Sequence, residues 1–167
     1  MRLGDLYLMW GKQNTAADRY KEAWQGLSAD PALEVRRDAF FGKPVRIMGP
    51  VPPAILPAPS RGAPPPDPKD LEPGFVVVRF NVDPLGRVSN ATVVESDPVN
   101  LLEERVQETA KRTLFRPRYE DGAAVATTGL LLRHEFRYAP KKLEKQARPP
   151  PEGDDKPLQQ PTSGSGG

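Results

Sequence analysis

Phe75-Val76-Val77-Val78-Arg79-Phe80-Asn81-Val82-Asp83-Pro84-Leu85-Gly86-Arg87-Val88 is the stretch on which the fold turns. Val76, Val78, Phe80 and Val82 fall on one side of a two-residue period, with Arg79 and Asn81 on the other, which predicts a half-buried strand. Asp83-Pro84-Leu85-Gly86 predicts a turn, and Val88 to Ser96 the returning strand. Val93 and Val94 stand side by side and break the alternation, as a bulge would. Asn100, with Glu103 three residues on, has the spacing of a capping box and predicts a helix through Leu114. Leu102, Val106, Ala110 and Thr113 form its inner face. Phe115-Arg116-Pro117 and a turn at Asp121-Gly122 follow, and Thr127 to Tyr138 returns to a strand pattern with Leu130, Leu132, His134, Phe136 and Tyr138 on one face. The order strand, strand, helix, strand predicts an α+β fold, an antiparallel sheet with one helix on its apolar side.

Several of these residues also carry a family likeness. Gly74, Val82-Asp83-x-x-Gly86-Arg87-Val88, Glu95-Ser96-x-Pro98, Leu114-Phe115-Arg116-Pro117, Asp121-Gly122 and Phe136 occur in an order and spacing that span nearly all of 74–138. This region resembles the C-terminal domain of the TonB family. The resemblance implies a periplasmic domain of a Gram-negative bacterium that contacts outer-membrane transporters and passes on energy from the inner membrane. Two family features have no counterpart here: an N-terminal membrane helix, and a Tyr-Pro motif before the first strand, where Pro68 to Pro73 stands instead. The resemblance therefore implies a protein-binding or assembly module rather than a complete energy transducer.

The resemblance further implies that the last strand lies at the sheet's edge and accepts an extended segment of a partner. On that basis Gly129, Leu131, Arg133, Glu135 and Arg137 are the expected partner-binding residues. An edge strand has unpaired backbone donors and acceptors, so an added strand gains affinity with little demand on its own sequence. The expected partners are the N-terminal segments of outer-membrane transporters. The alternative is a periplasmic adaptor or scaffold in which the repeat-like residues 1–48 and the TonB-like sheet of 74–138 each hold a different protein without energy coupling.

Outside 74–138 the composition changes. Ten of the 21 prolines lie between Gly49 and Gly74 and six follow Tyr138, which confines apolar periodicity to 1–48 and 74–138. In the first of these, Leu3, Leu6, Tyr7 and Trp10, then Ala16, Tyr20, Ala23, Trp24 and Leu27, recur at helical steps with a break at Gly11. Leu3-Gly4-x-x-Tyr7 and Ala16-x-x-x-Tyr20, with Ala23 beyond, resemble part of a tetratricopeptide repeat. Pro31 to Arg46 predicts a third helix, with Leu33, Val35, Ala39 and Phe40 as its apolar positions, closed by Phe41-Gly42-Lys43-Pro44. Residues 49–73 read as a proline-rich linker favouring polyproline II, and 139–167 as a disordered tail. With so few donors between them, 74–138 is expected to fold independently of 1–48.

Composition narrows the chemistry. The 24 basic and 22 acidic residues are interspersed, and Arg112, Arg116 and Arg118 sit beside Glu120 and Asp121, which is not the concentrated basic face that nucleic acid requires. Cysteine is absent, and His134 alone makes neither a metal site nor an acid–base pair. His134 shares a face with Leu132 and Phe136, as a satisfied, partly buried side chain would. Glu103-Glu104 suits a helix's first turn, Asp154-Asp155 lies in the tail, and Ser96 has no partner base. No glycine-rich phosphate loop is present. The reading is a non-enzymatic protein with no cofactor and no metal. The apolar run Leu6 to Trp10 is too short for a signal peptide or a membrane span. A domain of periplasmic type without either leads to the expectation of a fragment of a longer, exported protein, or of a misplaced start.

Overall fold

The computed structural model describes residues 2–57 and 66–140. The linker residues 58–65, most of the predicted tail and Asp154-Asp155 lie outside the described residues. Three helices come first, α1 (Arg2–Met9), α2 (Gln13–Ser28) and α3 (Glu34–Phe41), followed by the short strands β1 (Val45–Met48) and β2 (Ile55–Leu56). Then come β3 (Glu72–Val82), β4 (Val88–Asp97), α4 (Glu103–Lys111), the short β5 (Leu114–Arg116), β6 (Arg118–Glu120) and β7 (Ala123–Val125), and finally β8 (Thr127–Tyr138).

The predicted hairpin forms, and its turn chemistry is local. Asp83 Oδ1 accepts from the backbone N–H of Leu85 and of Arg87, both at 2.9 Å, while Oδ2 takes the Arg87 Nε–H at 3.0 Å. Gly86 sits at φ +81, and a Cβ there would lie 1.9 Å from the Phe115 carbonyl oxygen, so the turn and β5 can approach only over glycine. That approach carries a hydrogen bond, Phe115 N–H to Gly86 O, of 2.9 Å. Alternation then does the rest. Val76, Val78, Phe80 and Val82 of β3 meet Leu102 at the N-cap of α4, Val106 and Ala110 within it, and Phe136 of β8 in one buried core. Each fully buried aliphatic side chain there contributes roughly 1.5–3 kcal/mol.

The main sheet runs β2-β8-β3-β4, antiparallel except that β2 lies parallel to β8. The α4 helix begins at Glu103 and ends at Lys111, shorter than the 3.6-residue pattern suggests. Its predicted box is present in one half: the Glu103 carboxylate accepts from the Asn100 N–H at 2.9 Å and from the Ser96 hydroxyl. These two donors, the hydroxyl foremost, hold Glu103 below the usual carboxylate range.

The two apolar regions, expected to fold independently, are in contact. Leu8, Ala16, Tyr20 and Phe41 from the helices share a second core with Tyr119 of β6, flanked by Leu114 and Ala124. The predicted third helix stops at Phe41, and Val45–Met48 becomes a strand antiparallel to β5. Within the expected spacer, Ile55–Leu56 is a strand of the main sheet. Across the junction, Arg116 makes a two-pronged ion pair with Asp5: Nε to Oδ1 at 3.0 Å and Nη2 to Oδ2 at 2.8 Å. The Arg116 Nη1 donates to the Phe40 carbonyl, and its guanidinium lies over the Tyr20 and Phe40 rings. Tyr20 donates its hydroxyl to the same Asp5 carboxylate at 2.8 Å.

Burial raises the Tyr20 phenol, helped by the Asp5 hydrogen bond and charge, and burial raises Tyr119 to about 12. In the unfolded chain both titrate near 10. The folded form thus holds more protons than the unfolded one as pH rises past about 10, and stability falls with pH there. Absorbance at the phenolate band should show Tyr20 and Tyr119 titrating only as the helices unfold, above about pH 10. Phenolate absorbance rising fully while helical circular dichroism stays constant would contradict this.

Candidate functional site

The main sheet ends in β4 on one side and in the two-residue β2 on the other, so the last strand, expected at the edge, is covered at Arg137 and Tyr138 and forms the edge only before them. β4 is bulged twice against β3: Val94 is extra between the pairs Val77 with Glu95 and Val78 with Val93, and a second shift occurs around Asn90, which has φ 51. A side chain of α4 also reaches this strand, Gln107 Nε2 donating to the Ala91 carbonyl at 2.7 Å. Bulges twist an edge and break its ladder, which protects it from pairing. From Leu130 to Tyr138, by contrast, β8 runs against β3 without a register shift.

Two hydrogen bonds set the orientation of the β8 backbone. The N–H of Arg137 donates outward to Ala54 O at 2.8 Å, and that of Ala139 to Leu56 O at 2.9 Å. By the two-residue period, the N–H and C=O of Glu135, Arg133 and Leu131 also point away from β3, while Leu130, Leu132, His134 and Phe136 bond to it. The five expected residues therefore separate. Leu131, Arg133 and Glu135 present backbone groups along the part of the edge that has no partner among the described residues. Arg137 is already paired to Ala54. Gly129 is turned inward: at φ +71, its N–H goes to Asn81 Oδ1 at 3.0 Å, and with Thr128 it forms a bulge opposite Asn81. A glycine inside a strand pattern was the signal for that bulge.

The outer face of this edge is polar over an aromatic base. Arg133 stacks on Phe75 with its guanidinium carbon 3.8 Å from the ring centroid, and its Nε reaches Glu135 at 3.2 Å. Leu131 beside it is 63% exposed. A groove of about 510 Å³ crosses the sheet here, from Asp97 of β4 over Gly74 and Phe75 of β3 to Arg133, Glu135 and Arg137 of β8 and Ala54 beside β2. Along β8 beside it lie the outward backbone groups, the exposed Leu131 and the opposite charges of Arg133 and Glu135.

His134 is half-buried on the other face, stacked on Phe136, with its Nε2 3.0 Å from the Pro53 carbonyl. A carbonyl only accepts, so Nε2 carries the proton. Ser96 spends its hydroxyl on Glu103. Among the described residues no three His, Asp or Glu side chains gather at metal-binding distance, and no helix is long and apolar enough to cross a membrane.

Residues 70–138 match the family model of the Gram-negative bacterial TonB protein C-terminal. Among solved structures, the chain is similar to that of the TonB2 protein from Vibrio anguillarum, at 28% identity and a TM-score of 0.34, over 41% of this chain and 64% of that one. The matched region thus spans less than two thirds of that protein. No curated protein sequence matches significantly.

Proposed function

We propose that this protein is a non-enzymatic, periplasmic binding module of TonB type, linked to outer-membrane transport, which takes up an extended segment of a transporter along β8. The observation that carries the reading is the contrast between edges: β8 is regular from Leu130 onward and open at Leu131, Arg133 and Glu135, whereas β4 is bulged and capped. The family match over 70–138 supports the partner class. An added strand satisfies the outward backbone groups at those three residues.

Proline tests this cleanly because of the backbone parity. At Arg133 it removes a donor that faces outward, where an edge strand tolerates proline, and leaves the β3 ladder intact. Binding of periplasmic N-terminal peptides of outer-membrane transporters, measured by calorimetry, should weaken by about tenfold or more in Arg133→Pro, the loss of one ladder bond plus local disruption. Unchanged circular dichroism should accompany it. Equal binding by the variant, or no binding by the unmodified chain, would refute strand addition here.

A second reading has its own observation. Leu3 of α1 and Trp10 just after it are 51% and 64% exposed on the outside of the helical hairpin, the place where a repeat-like unit of an adaptor would meet another protein. A partner seated there would shift the emission of Trp10; a partner on β8 would leave it unchanged.

A further inference from the structure

The open part of β8 ends where the chain's own proline-rich segment begins. Pro53 approaches first, its carbonyl at His134 Nε2, and Ala54 to Leu56 then take the N–H groups of Arg137 and Ala139. Pro52 is buried and Leu56 packs against the main core, so this segment is seated rather than passing by. Its hold is nevertheless thin. The strand is two residues long, and Pro52, Pro53 and Pro57 have no N–H to donate, so it offers the edge mainly acceptors.

We infer that residues 52–57 are an internal occupant of the docking edge, and that a partner strand competes with them. This rests on the strand-addition reading above. Each outward N–H of β8 makes one ladder bond, so Arg137 and Ala139 serve either Ala54 and Leu56 or an incoming segment. A visitor confined to Leu131–Glu135 spans five residues, roughly 16 Å of strand. Any pairing carried past Glu135 to Arg137 must lift Ile55–Leu56 away. The displaced segment is tethered, so it returns at a high local concentration and sets a threshold that only a segment with a better ladder overcomes. The partner this edge selects is therefore an extended peptide that supplies carbonyl acceptors opposite Arg137 and Ala139 as well as groups opposite Leu131 to Glu135.

Two measurements on the full chain test this. The first needs no partner: amide hydrogen exchange of Arg137 and Ala139 against Leu132 and Phe136, which bond to β3. Release of the segment by local opening should make the first pair exchange about 100-fold faster or more. Exchange as slow as that of Leu132 would overturn the inference. The second uses the absence of native cysteine. In Leu56→Cys with Tyr138→Cys, at positions that face each other in the register, oxidation ties the segment down and reduction frees it. Transporter peptides should bind the reduced form at least tenfold more tightly than the oxidised form, about 1.4 kcal/mol. Equal binding would overturn competition while leaving strand addition standing. If no transporter peptide binds even the unmodified chain, the proposed partner class fails, and the exchange measurement alone decides whether the segment opens.

Discussion

Asp5→Ala should cost about 3–5 kcal/mol of stability, the loss seen when one member of a buried ion pair is removed. Arg116 keeps 8% of its side chain exposed, so without Asp5 its charge stays in the interior with only the Phe40 carbonyl and two aromatic faces around it. The Tyr20 hydroxyl loses its acceptor in the same step. Urea unfolding should show the drop as a lower midpoint, since the slope follows the surface exposed. Replacing both charges, Asp5→Leu with Arg116→Met, should recover much of the loss, because no unpaired charge remains. A loss below about 1 kcal/mol in Asp5→Ala would place this pair among solvated surface contacts.

The second large effect concerns cutting the chain between the two cores. The buried members of the main core, Val76 to Phe136, all lie within 74–138, so that fragment should keep β3, β4, α4 and β8. The second core is shared, because the helices close on Tyr119 and Leu114. The fragment 1–48 should therefore lose most of its helical circular dichroism: helices of 8, 16 and 8 residues are short for independent stability. In the complementary fragment, amides of β5 to β7 should exchange freely while those of β3 stay protected. A cooperatively folded 1–48 would refute the shared core.

How much of this was legible depended on range. The β3–β4 hairpin could be read because Asp83, Gly86 and Arg87 complete their hydrogen bonds within five residues, and because alternation in β3 is clean. The Asp5–Arg116 pair could not, since 111 residues separate its members and each resembles an ordinary surface charge. Strands as short as Ile55–Leu56 have no period to detect, and prolines around them suggest a spacer. The edge itself was placed through the family resemblance. Which of its residues stay open was not, because that depends on a bulge at Gly129 and on Ala54 meeting Arg137 from 83 positions away in sequence.

The most direct test of the account is nuclear magnetic resonance of the full chain with a transporter-derived periplasmic peptide, following amide exchange residue by residue. Strand addition at β8 requires new protection at Leu131, Arg133 and Glu135, with Leu130, Leu132 and His134 already protected before the peptide is added. Protection gained instead along β4, on the helices, or at no amide of β8 would contradict it.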